Sequence, residues 1–274
     1  MATPLRGAGR QAPGSIETAA DCAAVFVGGL AMHDDHDDSE HDLAHELRSF
    51  GRRRGRSLTA RQQHLVDEVL PRNRLRIDEP APAAAELARA LVPGSAEAWL
   101  EIGFGGGEHL LAQAIAHADR AIIGCEPFID GVVKVLAAID ERAIANIRLH
   151  DDDARDVLRW LPKASIARAF ILFPDPWPKT RHRKRRLVSG PTLALLARVM
   201  KPGAELRVAT DIGDYARTIL EAVAQQSAFR WTATGPADWR IQGDDWPITR
   251  YQQKANREGR CCYFFRFERL ANPN

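Results

Sequence analysis

The residues best suited to chemistry lie in one stretch, which combines an acid, a flat aromatic ring and a dense run of positive charge. Residues 173–186 read Phe-Pro-Asp-Pro-Trp-Pro-Lys-Thr-Arg-His-Arg-Lys-Arg-Arg. Asp175 supplies the carboxylate, Trp177 supplies the ring, and no acid interrupts the basic residues that follow. A basic run binds polyanions, and an acid beside an aromatic ring suits chemistry on a base within a nucleic acid. The alternative is a solvated basic face behind a proline-rich loop.

A predicted strand positions this stretch. The apolar run at residues 169–172 indicates a buried strand over 166–172. Pro174, Pro176 and Pro178 then exclude both helix and ladder pairing, so the chain must turn at the carboxyl end of that strand. Open α/β sheets bind ligands at this edge, and the turn is therefore an expected ligand site.

From residue 84 onward, predicted strands and helices alternate. Strands are predicted at 98–102, 121–125, 147–150, 166–172 and 205–209. Helices are predicted at 84–91, from the glycine turn to about His117, and at 128–143, 154–160, 190–200 and 213–226. Two late strands, 229–232 and 262–267, are expected to be antiparallel neighbours. Alternation of this kind predicts an α/β fold of the Rossmann-like class, with a mostly parallel seven-stranded sheet and helices on both faces.

A glycine-rich turn follows the first predicted strand and indicates which nucleotide-like ligand could bind. Glycines at 103, 105 and 107 allow close backbone approach, but Glu108 occupies the place of the third glycine in a dinucleotide fingerprint. Glu101, just before the turn, would repel a pyrophosphate. S-adenosylmethionine carries no phosphate and has a cationic sulfonium and an ammonium, so an acid at this position suits it.

Two further acids follow successive strands. Glu126 ends the second predicted strand and can accept hydrogen bonds from both hydroxyls of a ribose. Asp153 ends the third and is placed to accept from an adenine amino group. Each acid alone is most simply a polar loop residue, whereas Glu101, Glu126 and Asp153 at successive strand ends favour a methyl-donor pocket.

Several motifs together are similar to those of the bacterial tRNA (guanine-N7)-methyltransferase family. They are Leu-Glu-Ile-Gly-Phe-Gly-Gly-Gly-Glu-His at 100–109, the 173–186 stretch, Ala-Thr-Asp at 209–211, Thr-Arg-Tyr-Gln at 249–252 and Glu-Gly-Arg at 258–260. The second motif is long and specific, whereas the first indicates only a class I methyltransferase. The resemblance runs from about Arg48 to Glu268. It implies methyl transfer from S-adenosylmethionine to N7 of a guanine in tRNA, at guanine 46 of the variable loop.

The resemblance also implies a role for particular residues. Asp175 would be the catalytic acid. The methyl donor would contact Glu101, Gly103, Gly105, Glu126, Asp153 and Asp175. The substrate guanine would contact Lys179, Asp211, Thr249, Arg250, Tyr251 and Gln252. The tRNA would contact Arg181, His182, Arg183, Lys184, Arg185 and Arg186.

One position departs from the family pattern. Gln252 stands where the family usually has Glu, which could accept from both the N1–H and the amino group of guanine. Glutamine offers one acceptor oxygen and adds a donor. The departure bears on guanine recognition and leaves the class of reaction unchanged.

The chemistry of guanine N7 limits what the protein must supply. This nitrogen has an in-plane lone pair and carries no proton, so methyl transfer needs no general base. The product ring is cationic, and a carboxylate such as Asp175 would stabilise the developing charge. We expect Asp175 to share its pocket with Trp177, Lys179 and Asp211. Trp177 either stacks on the base or plugs the edge of the sheet.

The N-terminal residues differ from the rest. We expect residues 1–45 to be a disordered extension and residues 46–274 to form the catalytic domain. The His- and Asp-rich run at 33–41 is read as an acidic tail, with a metal site as the alternative. The arginine-rich segment 48–61 could clamp RNA or form a flexible arm. Thr59 is predicted to cap a helix that ends at Pro71.

The composition indicates the cellular compartment but does not identify the substrate. The net charge is +2, so the basic clusters are more informative than the overall balance. No apolar run reaches membrane-spanning length. The four cysteines form no Cys-x-x-Cys pair, which favours a reducing, cytoplasmic setting without structural disulfides. We expect tRNA as the partner, no metal and no obligatory protein partner.

Two other functions fit parts of the pattern. Asp-Pro-Trp faintly resembles the Asp-Pro-Pro-Tyr turn of methyltransferases that act on the amino groups of DNA adenine or cytosine. A non-catalytic RNA-binding module on the same fold is the second alternative, and the intact set of acids argues against it.

Overall fold

The computed structural model describes residue 55 and residues 57–271. The predicted N-terminal extension over 1–45, its His- and Asp-rich run and most of the arginine-rich segment 48–61 lie outside the described residues.

Within residues 57–271, seven strands form one sheet. They are β1 (Glu97–Ile102), β2 (Arg120–Cys125), β3 (Ile147–His150), β4 (Ile166–Leu172), β5 (Met200–Thr210), β6 (Phe229–Trp231) and β7 (Tyr263–Arg269). Their order is β3-β2-β1-β4-β5-β7-β6. The first five strands are parallel, and β7 runs antiparallel to both β5 and β6. This confirms the predicted mostly parallel sheet and its antiparallel late pair.

Ten α-helices occur within the described residues. They are α1 (Ala60–His64), α2 (Leu70–Asn73), α3 (Leu87–Leu91), α4 (Glu108–Ala116), α5 (Ile129–Arg142), α6 (Ala154–Trp160), α7 (Gly190–Val199), α8 (Gly213–Ala224), α9 (Ala237–Arg240) and α10 (Arg250–Arg257). A 3₁₀ helix, Thr180–Arg185, follows the proline-rich turn. The strand order reverses at β1, so right-handed crossovers place helices on both faces of the sheet.

The reversal of strand order creates the crevice in which α/β proteins of this kind bind ligands. The chain leaves β1 toward β2 on one side, whereas β4 lies on the other side and continues toward β5. Ile102 at the end of β1 is level with Ile171 in β4, so the glycine turn and the proline-rich turn emerge at the same edge. Ligands bind at such a switch point, outside the carboxyl ends of the strands.

The central strands are mostly apolar because both faces of the sheet are covered. Leu100, Ile123 and Phe170 are fully buried in β1, β2 and β4. Cys125 is also buried, as expected for a small core residue, and burial raises the pKa of its thiol. The resulting rigid core fixes the carboxyl ends of β1, β2 and β4 relative to one another.

The first helical segment departs from its predicted end. Thr59 does form a capping box with Gln62, but the helix continues past Pro71 to Asn73. A π-helical turn, Leu65–Val69, immediately precedes the segment that holds the proline. The wider turn accommodates a ring that has no N–H to donate, so the prediction that Pro71 ends the helix is wrong.

Candidate active site

A cavity of about 510 Å³ opens at the carboxyl ends of β1 to β4. Each of these strands contributes residues from the loop that follows it, and the start of α10 completes the wall. The predicted residues that line the cavity are Gly103, Gly105, Glu126, Asp153, Asp175, Arg185, Arg250 and Tyr251, together with Trp177. The structure therefore brings together residues that are up to 148 positions apart in sequence, from Gly103 to Tyr251 (251 minus 103).

The glycine turn is shaped by positive backbone angles and by close packing. Gly103 and Gly105 have φ values of +75° and +55°, in the region that favours glycine. A Cβ on Gly131 of α5 would lie 2.2 Å from the carbonyl oxygen of Gly105. The close approach of α5 holds the turn in place, and the missing side chains leave its backbone open toward the cavity.

Glu126 is held by main-chain groups on both sides. Its Oε2 accepts a hydrogen bond from Gly105 N at 2.8 Å, and its Oε1 accepts one from Phe128 N at 2.9 Å. Burial raises the pKa of this carboxyl above its ordinary value, the two N–H donors oppose that rise, and the negative charge of Asp175 adds to it. Glu126 is thus an oriented acceptor on the wall of the cavity, as its place at the end of β2 predicts.

Asp153 is positioned by the helix that it begins. Its side chain caps α6 by accepting from Arg155 N at 3.0 Å, and its other oxygen accepts from Arg155 Nη1 at 2.9 Å. Arg155 is itself 5% exposed and also lines the cavity. Arg155 is not among the residues predicted from the sequence, although it follows a helix-capping acid by two residues.

Glu101 occupies a different position from the other two acids. It is 2% exposed, pairs with Nδ1 of His109 at 2.7 Å and is not among the residues that line the cavity. The His109 ring packs edge-on against Phe170, 4.6 Å between centroids. The structure therefore places Glu126 and Asp153 on the wall of the cavity, while Glu101 forms a buried pair between β1 and α4.

The proline-rich turn holds Asp175 at the rim. Phe173 and Trp177, on either side of it, have φ values of +51° and +43°, which are costly for residues with a side chain. Phe173 N donates to Ala209 O at 2.8 Å, which ties the turn to β5. Asp175 is exposed and lines the cavity. Two strained residues that flank a cavity-lining acid are the pattern expected of a functional turn.

The basic run divides into exposed, cavity-facing and buried members. Arg181, Arg183 and Lys184 are exposed. Arg185 lines the cavity, with its guanidinium 5.0 Å from the centre of the Trp177 ring. His182 approaches the same ring edge-on at 5.8 Å. Arg181 and Lys184 present positive charge to solvent, and Arg183 pairs with Asp214 at 2.8 Å. Arg185 and His182 surround the aromatic ring.

Arg186, which the resemblance predicts to contact RNA, is the buried member of the basic run. The side chain is 2% exposed. Its guanidinium donates to Pro176 O at 2.9 Å, to Thr218 Oγ1 and to Asp214. Since these partners lie on the proline-rich turn and on α8, Arg186 anchors the turn to the body of the domain.

The Thr249–Gln252 segment begins α10 beside the glycine turn. Thr249 caps the helix by accepting from Gln252 N at 3.3 Å. The Tyr251 ring lies against Gly105, where an added Cβ would be 3.1 Å away. Arg250 pairs with Glu108 at the start of α4. Two of the predicted substrate residues, Arg250 and Tyr251, therefore line the cavity, and Gln252 is buried behind them.

The remaining predicted substrate residues do not line the cavity. Asp211, after β5, accepts from Arg260 Nε at 2.8 Å and pairs with its Nη2 at 2.7 Å. Lys179 is exposed and precedes the 3₁₀ helix. The sequence indicates no individual role for Arg260, although it stands in the Glu-Gly-Arg motif at 258–260. The pairing of Arg260 with Asp211 shows that this motif holds in place the acid that follows β5.

Within the described residues, no group of three or more His, Cys, Asp or Glu side chains could hold a metal ion. In the same part of the chain, none of the helices has the length and apolar character needed to cross a membrane.

Comparison with known proteins agrees with this architecture. Residues 95–265 match the Methyltransf_4 family, which is described as "Putative methyltransferase". A solved structure of the 16S rRNA methyltransferase KamB superposes with a TM-score of 0.50 and 16% identity, covering 70% of this chain and 95% of that one. At that identity the likeness shows the fold alone, which is the Rossmann-like class I methyltransferase fold.

Curated relatives match most of the chain. A tRNA (guanine-N(7)-)-methyltransferase from Rhodopseudomonas palustris (strain BisB18) is 45% identical over 241 residues, which cover 88% of this chain and 95% of the relative. One from Ruegeria pomeroyi is 48% identical over 225 residues, covering 81% and 94%. This identity, over nearly the full length of the relatives, shows that the chain belongs to the bacterial tRNA (guanine-N(7)-)-methyltransferase family.

Proposed function

We propose that the protein transfers the methyl group of S-adenosylmethionine to N7 of a guanine in tRNA, at guanine 46 of the variable loop. The observation that carries this proposal is one cavity whose lining includes the acids Glu126, Asp153 and Asp175 together with Arg185 of the basic run. The names of the relatives support a guanine in tRNA as the substrate. The catalytic domain is proposed to span residues 46–274, with residues 1–45 as an extension.

The donor side of the cavity fits S-adenosylmethionine in size and in the chemistry of its walls. The volume of about 510 Å³ lies within the range of small-molecule sites. Glu126 offers acceptor oxygens for ribose hydroxyls, and Asp153 offers them for an adenine amino group. Gly103 and Gly105 leave room for close approach of the ligand to the backbone. When bound, the donor supplies an electrophilic methyl group on a positively charged sulfur.

Glu101 is proposed to act from the buried layer under the glycine turn. Its pair with His109 holds the carboxylate between β1 and α4. A negative charge at this position favours the sulfonium and ammonium groups of the donor over a pyrophosphate. The residue therefore contributes to donor binding through its charge.

Asp175 is proposed to be the catalytic acid. Guanine N7 attacks with its own lone pair, so no residue needs to remove a proton. The base becomes cationic as the bond forms, and an acid fixed at the rim stabilises that charge without moving. The strained turn supplies this fixed position, and Trp177 offers a flat surface on which the base can stack.

Two surfaces are proposed to bind the tRNA. Lys179, Asp211 and the 249–252 segment would hold the target guanine. Arg181, His182, Arg183, Lys184 and Arg185 would contact the surrounding RNA, and the exposed cations among them would neutralise phosphates. The aromatic ring at the centre of this group suits a base that has been taken out of its stack.

The activity is tested by incubating the full chain with unmodified tRNA and methyl-labelled S-adenosylmethionine, followed by analysis of the nucleosides. We expect the label in 7-methylguanosine. Label in a methylated adenine or cytosine would instead indicate an amino methyltransferase. Donor binding without transfer to any tRNA nucleoside, or no donor binding at all, would also refute the proposal.

A further inference from the structure

Two glutamines and one backbone carbonyl form a chain of hydrogen bonds behind the cavity. Gln252 lies in the first turn of α10 and is 7% exposed. Its Nε2 donates to Gln242 Oε1. Gln242 Nε2 in turn donates to the carbonyl oxygen of Trp246. Gln242 precedes α10 by eight residues (250 minus 242), so the chain links the start of the helix to the loop before it.

The carbonyl of Trp246 gives this chain a direction. A backbone carbonyl can only accept, so the amide of Gln242 must turn its nitrogen toward it and its oxygen toward Gln252. The amide of Gln252 must then turn its nitrogen toward Gln242. No described residue donates to Gln252 Oε1, and this oxygen is not among the fully buried atoms without a partner. Gln252 is thereby left with an acceptor to offer.

The orientation of the Trp246 carbonyl is fixed because several contacts hold Trp246 in place. Trp246 is 5% exposed, and its N–H donates to Gly243 O at 3.0 Å. Its ring packs edge-on against Phe264 at 5.4 Å, and the guanidinium of Arg207 lies 5.3 Å from the ring centre. The loop cannot easily turn this carbonyl away, so the direction of the hydrogen bonds persists.

This direction matters for a guanine. The Watson–Crick edge of guanine carries two adjacent donors, the N1–H and the amino group, and a single acceptor, O6. An unrestrained glutamine could present either end of its amide. The amide nitrogen would oppose those two donors, and burying donors against each other is costly. A glutamine whose oxygen faces the base accepts from them, as a carboxylate would.

We propose that Gln242 is a positioning residue for guanine recognition, which orients the amide of Gln252 so that its oxygen accepts from the base. The inference rests on the proposed function and extends it to a residue outside the recognised motifs. It also explains how the chain functions with Gln252 where the family usually has Glu. The neutral amide, fixed in direction by Gln242, performs the acceptor role of the charged group.

The test reverses the donor and acceptor in the hydrogen bond between residues 242 and 252 and measures the effect on tRNA methylation. In Gln242→Lys, the ammonium can only donate, so the amide of Gln252 must turn its oxygen to it and its nitrogen to the base. We expect the KM for tRNA to rise about ten- to hundredfold, with kcat falling less. Donor affinity, measured by calorimetry, should stay at the wild-type value.

Gln242→Glu is the matched control. A carboxylate can still accept from Gln252 Nε2, so the orientation of Gln252 is kept. Its second oxygen then faces the Trp246 carbonyl, and the cost of two facing acceptors is expected in the thermal stability of the variant. We expect a KM within about threefold of wild type. Gln252→Glu in the Gln242→Lys background is the rescue, because the new carboxylate pairs with the lysine and retains an oxygen for guanine. Thermal unfolding of each variant monitors the fold.

The outcomes separate this inference from the proposed function. A raised KM in Gln242→Lys, a near-normal KM in Gln242→Glu and recovery in the double variant support it. Equal KM changes in both single variants, or a wild-type KM in Gln242→Lys, overturn it while the proposed function stands. If the wild-type chain forms no 7-methylguanosine, the proposed function falls and this inference falls with it.

Discussion

The proposed donor side and the proposed RNA side of the cavity are held by different kinds of interaction. On the donor side, Glu126 is held by main-chain N–H groups and Asp153 by the helix that it caps. On the RNA side, side chains hold one another over long sequence separations, as in the pairs of Asp211 with Arg260 and of Arg186 with Asp214. On the proposed donor side, main-chain N–H groups therefore hold both acids, and Arg155 is an additional side-chain partner of Asp153. The proposed RNA side is held by side-chain pairs between distant segments.

Asp175, where the two sides meet, is expected to give the largest effect. Asp175→Ala should lower kcat for methyl transfer about 10²- to 10³-fold, the usual range for removal of one group that stabilises transition-state charge. Single-turnover rates at saturating donor and tRNA provide the measurement. Asp175→Asn is the shape-matched control and should share most of the decrease. A folded Asp175→Ala variant that binds both ligands and reacts at the normal rate would refute the role.

Arg186 tests the anchoring of the RNA side. Arg186→Met should lower the free energy of unfolding by about 1–3 kcal/mol, because it leaves the Pro176 carbonyl and Thr218 without their donor. Denaturant unfolding gives the value. Lys184→Met, on the exposed part of the same run, is the control and should change it little. An unfolding free energy equal to wild type in Arg186→Met would show that the residue is not an anchor.

The pairing of Arg186 with Asp214 also predicts how the free energy of unfolding depends on pH. Hydrogen bonding by Arg186 holds the pKa of Asp214 below its ordinary value of 3.8. A carboxyl with a lowered folded pKa contributes stability above its unfolded pKa and loses it as the pH falls through the folded pKa. In the wild type, the contribution of the Arg186–Asp214 interaction to the free energy of unfolding should therefore be lost below about pH 3.8. Because Arg186→Met lacks this interaction, its free energy of unfolding should fall less over the same pH range. Identical pH profiles of unfolding free energy would contradict the pairing.

Glu126 tests the donor side. Glu126→Gln keeps the shape but removes the charge and one acceptor oxygen, and it should weaken S-adenosylmethionine binding about tenfold, or ~1.4 kcal/mol. Calorimetry measures the change, and tRNA affinity should be unaltered. Glu141→Gln, outside the cavity lining and paired with exposed Arg61, is the control. Weakened tRNA binding in Glu126→Gln would show that the two sides are not separable.

The smallest expected effect is at the exposed cations. A double change of Arg181 and Lys184 to alanine should weaken tRNA binding severalfold. It should also reduce the slope of log affinity against log salt by about 1 for each phosphate that the variant no longer neutralises. Donor affinity should not change. A salt slope equal to wild type would place the RNA elsewhere on the surface.

The contrast between local contacts and contacts of residues far apart in the sequence also explains how much of the structure the sequence predicts. The bounds of β3, α6 and β4 agree with prediction because Asp153, a helix cap, and the prolines after β4 are local signals. The sequence does not predict helix α10, because its residues, Arg-Tyr-Gln-Gln-Lys-Ala-Asn-Arg, carry no apolar stripe. Ala255 and Gln252 are the only buried residues of this helix. The burial of Arg186 depends on Asp214, a partner 28 positions away that no local pattern reveals.

The most direct test of the account is to map the methylated nucleotide. Unmodified tRNA is incubated with the protein and S-adenosylmethionine, cleaved chemically at 7-methylguanosine and sized, beside a matched transcript with adenine at position 46. We predict one cleavage at position 46 in the first transcript and none in the second. Cleavage at other guanines in both transcripts, or methylation without cleavage, would contradict the proposed guanine and its N7 atom.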